Sequence, residues 1–447
     1  MSLNTPFVYA QPESLSIPSQ LMGDELKSFK GAKNVIKSIP STSGSNVGPS
    51  STILFQIPTG GNGFIKPNSM FLRAKVAVTV TGGVGVSWKF AGNGGADAFG
   101  NTFAFDFGGA SSLINRVNVN LGGTVMTYQN YNHFRNAVLP HSLNSQYFQT
   151  DLRELEYSGT TKNAATDVDV NKTIYVSIPL WVPLFNSQQA FPSLLMNSPI
   201  TIEFLTETIN NSFAGFTTGI TNYSLSELNL VYEEIQVSPE FKSALLSSKS
   251  GQMYNIHVND FWSIGPTNVD QSMRYQIGCG LSSLKSVLFT EQLQTDVASS
   301  LAEKKYCSNG LLNYTVYVNN EVVSPPNITD DSYCFAEMNR ALQKINDSNC
   351  CSYLEPITNT NSSGGLRNAY TSHNFLAGSS TMTLSDWGYS SCGMPASTVT
   401  IELNHGTPLS TQWQNNTAYA AASLYAFLLH DSVVSIDVNN GVVSIRK

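Results

Sequence analysis

Charge is scarce in this sequence. Only 12% of its 447 residues are Asp, Glu, Lys or Arg, about half the share usual for a globular chain. The 24 Lys and Arg fall short of the 31 Asp and Glu, for a net charge of -7. A dedicated nucleic-acid binder would carry a basic excess, so sequence-specific nucleic acid is not an expected partner. Long apolar runs are missing too. The longest, Ala418 to Leu429, is well short of the ~20 residues a bilayer-spanning helix needs. The opening MSLNTPFVYAQPESL has neither a basic segment nor an apolar one, and no secretory signal is expected.

Catalytic and metal-binding patterns are equally thin. The six cysteines, Cys279, Cys307, Cys334, Cys350, Cys351 and Cys392, include no CxxC, which argues against zinc. They read as buried free thiols from a reducing compartment. The histidines (133, 141, 257, 373, 405 and 430) form no HExxH and no cluster with carboxylates. GYSSCG at 388–393 lacks the second glycine of a nucleophile elbow and reads as a turn. Glu233 and Glu234 are neighbours on a strand pattern and point to opposite faces. Asp330-Asp331 precedes a helix pattern and reads as its cap. The expectation is a chain with no enzymatic activity and no cofactor. Eight N-x-S/T triplets occur, but without a secretory signal they are explained by the abundance of Asn, Ser and Thr.

What the chain does contain is alternation. Ile53, Phe55 and Ile57 alternate with polar or outward residues, as do Val76, Val78 and Val80. Further sets are Val117, Val119 and Leu121, then Ile174, Val176 and Ile178, then Ile200, Ile202 and Phe204, then Leu228, Leu230 and Tyr232. A period of two means strands with one face in a core. Short strands between Gly, Pro and Asn turns, with 33 Gly and 19 Pro in all, point to a sandwich. A helix is expected in YQNYNHFRNAVL, directly after a hairpin at Gly122-Gly123. Ser238-Pro239-Glu240 starts another helix. The second half then repeats the programme, with strands in MYNIHVND, NYTVYV, TVTIELNHG and SLYAFLLHDSVVSIDV. It also has a turn at Asn319-Asn320, a helix in SYCFAEMNRALQKIN, and a last hairpin at Asn440-Gly441.

The two halves align with each other. NVNLGGTVM matches YVNNEVV, FRNAV matches NRAL, PITIEFLTE matches TVTIELNHG, and ELNLVYEEIQV matches LYAFLLHDSVV, in the same order at offsets near 198. Four ordered matches indicate tandem duplication of one β domain. The expected organisation is an N-terminal arm over 1–50, a first domain over 51–237, a helical linker over 238–251 and a second domain over 252–447. Within the arm, Lys27, Lys30, Lys33 and Lys37 recur at helical spacing and share one face of a helix. That face suits an anionic lipid, nucleic-acid or acidic-protein contact on an inner surface. The long segment from Gly82 to Gly109 reads as a surface or inter-subunit loop.

Residues 108–136, GGASSLINRVNVNLGGTVMTYQNYNHFRN, resemble a segment of the double jelly-roll major capsid proteins of the adenovirus, tectivirus, virophage, polinton-like virus and large eukaryotic DNA virus lineage. There a small-residue loop leads to a strand, a glycine hairpin and a helix starting near a Tyr-Asn pair, here Tyr131-Asn132. The run 178–205 is similar as well. The resemblance implies an all-β fold of two tandem eight-stranded jelly-roll sandwiches, with short inserted helices and an N-terminal arm. It implies a homotrimer of pseudo-hexagonal outline that contacts neighbouring capsomers, penton proteins and minor capsid or cement proteins, usually above an internal membrane or protein layer. It also implies a place in the virion capsid after synthesis in the host cytoplasm or a virus factory. Two rival readings are a jelly-roll glycan binder or attachment protein, with Trp88, Trp387 or Trp413 stacking on sugars, and a double jelly-roll glycan hydrolase with carboxylates converging between the domains.

Overall fold

The structure is a computed structural model. It describes residues 32–80, 87–88, 102–105, 109–142, 151–156, 173–187, 189–214, 220–295, 306–325, 328–342, 370, 375–384, 390–407 and 418–447. The first half contributes eight principal strands: β1 (Lys33–Pro40), β2 (Thr52–Ile57), β3 (Phe71–Val80), β4 (Ile114–Leu121), β5 (Thr124–Tyr128), β6 (Thr173–Pro179), β7 (Ile200–Thr206) and β8 (Ile220–Gln236). They form two antiparallel sheets, ordered β1-β8-β3-β6 and β2-β7-β4-β5. The alternating apolar residues face each other between the sheets. Phe55 meets Phe204 edge to face at 5.8 Å, and Val76, Val117, Val119 and Ile202 are fully buried around them.

The second half has β9 (Met253–Val269), β10 (Ser272–Leu293), β11 (Leu311–Val318), β12 (Glu321–Val322), β13 (Ala377–Ser380), β14 (Met394–His405), β15 (Ala422–Asp437) and β16 (Val443–Arg446). Its principal sheet has nine strands because β10 is shared. The first part of β10 pairs with β14, from Ser272↔Asn404 to Leu284↔Met394. The last part pairs with β15, from Leu284↔His430 to Leu293↔Ala422, and with β13. Dividing β10 at Leu284 leaves two runs, β9-β15-β10-β13 and β10-β14-β11-β12. They repeat the two sheet orders of the first half. A fold of two eight-stranded jelly rolls in tandem is therefore what the chain adopts. Its second core includes Phe289 and Tyr314, edge to face at 5.0 Å.

The shared strand bends where its pairing slips, between Gly278, Leu281 and Leu284. Gly393 passes so close there that a Cβ would collide with the Leu284 backbone. A Gly393→Ala chain should lose about 3 kcal/mol, because backbone on both sides would have to move. A urea titration showing an unchanged midpoint would contradict this close approach.

Turns and caps follow the local chemistry. Gly122 and Gly123 both have positive φ, 64° and 105°, and in the second half Asn319 and Asn320 do the same work at 51° and 67°. Left-handed pairs of this kind match strand twist in two-residue hairpins. Each hairpin is followed by a helix, α1 (Tyr131–Ser142) in the first half and, further on, α4 (Asp331–Ala341) in the second. Between them lie α2 (Asp151–Glu156) and α3 (Pro239–Ser248). Ser238 Oγ accepts the Phe241 amide at 3.2 Å. Asp330 Oδ1 accepts the Tyr333 amide at 2.8 Å, the cap expected of that pair.

Three expectations need correction. Lys33 and Lys37 lie on strand β1, not on a helix. Val35, Ile36, Ile39 and Pro40 favour extended backbone, and β8 offers an edge that pairs from Lys33↔Gln236 to Pro40↔Asn229. The recurrence of lysine was coincident with helical spacing, not caused by it. Lys27 and Lys30 lie outside the described residues. Ser390–Cys392 is a short strand paired with Thr383–Leu384, not a turn. Within the long segment 82–109, Thr102–Phe105 is a strand flanked by Ser87–Trp88 and Phe213–Ala214. Phe105 is buried and stacks on Phe213 at 5.6 Å, because this aromatic cluster caps the end of the first core.

Candidate assembly site

The two jelly rolls meet through α1. Every residue from Tyr131 to His141 is buried, unusual for a helix with so little aliphatic character, and its aromatic side chains explain it. The Phe134 ring stacks on Phe261 of β9, with centroids 3.6 Å apart, and meets Phe427 of β15 edge to face at 5.5 Å. His133 stacks on Tyr425 at 3.9 Å, and its Nδ1 lies 3.0 Å from the Tyr306 hydroxyl. Burial holds the His133 imidazole down at about 4, against the opposing pull of Glu207. It is therefore a neutral packing ring at neutral pH. Just before the helix, Asn130 Nδ2 donates to the Gly265 carbonyl at 3.0 Å and to Ser263 Oγ at 3.3 Å. The terminal hairpin adds a second contact. Thr124 Oγ1 donates to the Val443 carbonyl at 2.8 Å, and Asn197 Nδ2 to the Asn440 carbonyl at 2.9 Å.

The inner side of α1 is fixed by a buried ion pair. Arg135 clamps the Glu156 carboxylate with both terminal nitrogens, one of them at 2.6 Å, and the Ser111 amide donates to the same carboxylate at 3.1 Å. Burial nevertheless pushes the Glu156 carboxyl up to about 7, with Arg135 and Ser111 pulling it down.

Other buried carboxylates are also held by fixed partners. Glu207 accepts from Asn115, Asn132 and the Thr208 amide. Glu291 lies 2.7 Å from His405 Nε2 and accepts from Asn309 at 3.0 Å. Asp260 accepts from Ser432 at 2.9 Å. Among the described residues, no group of three or more His, Cys, Asp or Glu could hold a metal ion, and no helix is long and apolar enough to cross a membrane. Cys279 and Cys334 are buried thiols. Burial pushes Cys334 up to about 12, which makes it unreactive.

The outer sheet faces are polar with locally paired charges. Lys75 meets Glu227 at 3.2 Å, Lys66 meets Glu233 at 2.5 Å, and Arg116 meets Glu203 at 3.3 Å. Lys37 lies 3.5 Å from Glu234. Lys33 and Lys37 therefore belong to a sheet edge, where Lys37 already has an acidic neighbour. Several large apolar side chains are exposed among the described residues. Ile36 on β1 is 73% exposed, and Val125 on β5 and Val322 on β12 are 49% and 57% exposed. These two valines occupy the same place in the two hairpins. Trp387 and Trp413 lie outside the described residues. Sequence patterning passed over the joint, although YNHFRNAV, five of whose eight residues are aromatic, aliphatic or His with a single charge, signalled a helix without a solvent face.

Helices α1 and α4 occupy equivalent places after equivalent hairpins, yet they differ in cover. On α4, Cys334, Glu337, Met338 and Ala341 are buried, whereas Ser332, Tyr333, Ala336 and Arg340 are exposed.

No family model matches the sequence, and neither does any curated protein. Solved structures do match in fold, double jelly-roll major capsid proteins among them. A chain of the PBCV-1 virus capsid superposes with a TM-score of 0.57 at 14% identity, over 93% of this chain and 97% of that one. A chain of the Sputnik virophage structure gives 0.57 at 10% identity, over 100% and 94%. The mavirus major capsid protein gives 0.54 at 10% identity, over 100% and 95%.

Proposed function

We propose that the chain is a non-enzymatic structural shell protein: a major capsid protein that assembles as a homotrimer of pseudo-hexagonal outline and tiles the icosahedral capsid of a DNA virus. The observation that carries this reading is the equivalence of the two halves, each an eight-stranded sandwich of the same order with a helix inserted at the same point. In one chain the first inserted helix is covered by the second jelly roll. The second helix has an uncovered face, and a further copy would cover it in the same manner. Contacts of this head-to-tail kind close into rings. Sparse, locally neutralised charge suits faces that meet repeatedly, because like charges at each contact would repel.

In this reading, 51–237 and 252–447 are the two wall units, 238–251 joins them, and the arm 1–50 lies at the base, its residues 33–40 extending the first sheet. Lys27, Lys30, Lys33 and Lys37 remain candidates for an inner-face contact, the last two from strand β1. Penton proteins, minor capsid or cement proteins and an underlying membrane are the partners such a shell would have, and the virion capsid is its place.

Light scattering of the purified chain should give three times the chain mass, and electron microscopy should show six-sided particles. Tyr333→Glu combined with Ala336→Glu, on the open face of α4, should leave the circular dichroism spectrum unchanged and abolish the trimer. A chain that stays monomeric at every concentration and salt level would overturn the reading.

A further inference from the structure

A cavity of about 500 Å³ lies between the two jelly rolls, within the roughly 300–1,000 Å³ range of small-molecule sites. Phe134, Val138 and Leu139 of α1 line one side, and Phe261, Leu342 and Leu429 line the other. The wall is thus mainly apolar, but three of its residues carry buried polar atoms with no hydrogen-bond partner among the described residues: Trp181 Nε1, Ser286 Oγ and His430 Nε2. Ser286 and His430 are each only 1% exposed. Ser286 opposes Leu429 across β10 and β15, and Leu429 in turn opposes Phe261. Paired residues share a sheet face, so the Ser286 hydroxyl stands on the face that borders the cavity.

Buried polar groups are costly when unmatched, and Trp181 and Ser286 define what would match them; His430 follows Leu429 on β15 and pairs with Leu284 and Asp260, so it stands on the other face of the sheet. Trp181 Nε1 can only donate, and a serine hydroxyl can donate or accept. Charge at the cavity is already matched. Lys285 Nζ sits 2.5 Å from Asp431 and 2.7 Å from Asn259 Oδ1. Asp260 accepts from Ser432 and from the Phe261 amide, both at 2.9 Å. Nothing there calls for an ionic ligand.

We propose that this cavity binds a neutral, mostly apolar molecule carrying a hydroxyl group, an alcohol of the long-chain or terpenoid kind. Its apolar body lies along α1, and its hydroxyl accepts from Trp181 Nε1 while donating to Ser286 Oγ. Such a ligand touches both jelly rolls and ties them together. The proposal does not depend on shell assembly, because the site is complete within one chain.

The test uses 1-decanol, with decanoate and decane as controls, on the full-length chain. Calorimetric melting should show a saturable rise of about 3 °C with 1-decanol, since a ligand selective for the folded state raises Tm by mass action. Decanoate and decane should bind at least about tenfold more weakly, as the loss of one hydrogen-bonded match implies. Ser286→Leu should abolish the rise. Leu342→Trp, which fills the cavity from a half-buried position, should do the same if Ser286→Leu folds poorly. No saturable response to 1-decanol would mean a cavity holding water only. An equal response to decanoate, or an undiminished response in both variants, would equally overturn the assignment.

Discussion

A Phe134→Ala chain is expected to lose about 3–5 kcal/mol of stability, the usual range for removing a buried aromatic ring. Phe134 combines a stacked ring, an edge-on ring and a cavity wall in one side chain, so its removal opens the joint instead of letting it close up. The loss should also change the form of the transition. With the joint weakened, the two jelly rolls should melt as separate calorimetric events, because each retains its own core. A control at Tyr333, exposed on α4, should shift stability by less than about 0.5 kcal/mol. A single unaltered transition for Phe134→Ala would show that the terminal hairpin, not α1, couples the halves.

The second large effect concerns Arg135. Arg135→Met would leave the Glu156 carboxyl buried without its cation, at a cost of about 3–5 kcal/mol when that carboxyl is ionised. Glu156 stands at about 7 in the fold, above its ordinary 4.5, so the folded chain holds this proton more tightly than the unfolded chain does. The stabilising contribution of that raised value is complete below about pH 4.5 and is lost as pH rises through 7. Without Arg135 the carboxyl moves higher still, so the variant should be far weaker at pH 8 than at pH 5. Urea titrations at the two pH values read the difference. Adding Glu156→Leu should restore most of the loss at pH 8. Equal destabilisation of Arg135→Met at pH 5 and pH 8 would rule out an electrostatic origin.

Much of this architecture was legible because strands with one buried face write their period directly into sequence. β2, β4, β6, β7 and β11 all coincide with alternating runs, and both hairpins were marked by Gly-Gly or Asn-Asn. β10 was not legible. Gly278, Gly280, Ser282 and Ser283 interrupt its alternation where it bends, and beyond Ser286 it is buried on both faces, so no period of two survives. β1 was misread because its lysines fit helical spacing while its β-branched residues were given no weight. The joint was hardest to see, since what makes α1 important is a surface some 130 residues further along the chain, and no local pattern encodes such a distant partner. The unmatched polar atoms of the cavity had no sequence signal at all.

The sharing of β10 between two sheets has a mechanical consequence. In the first half the corresponding strands β2 and β3 are separate pieces joined by the segment 58–70, so the two layers of that sandwich can shift against one another at modest cost. In the second half an unbroken ribbon of backbone runs from one layer into the other, and sliding would have to break ladder bonds on both sides of the bend at once. The two jelly rolls would therefore differ in stiffness, with compliance concentrated in the first.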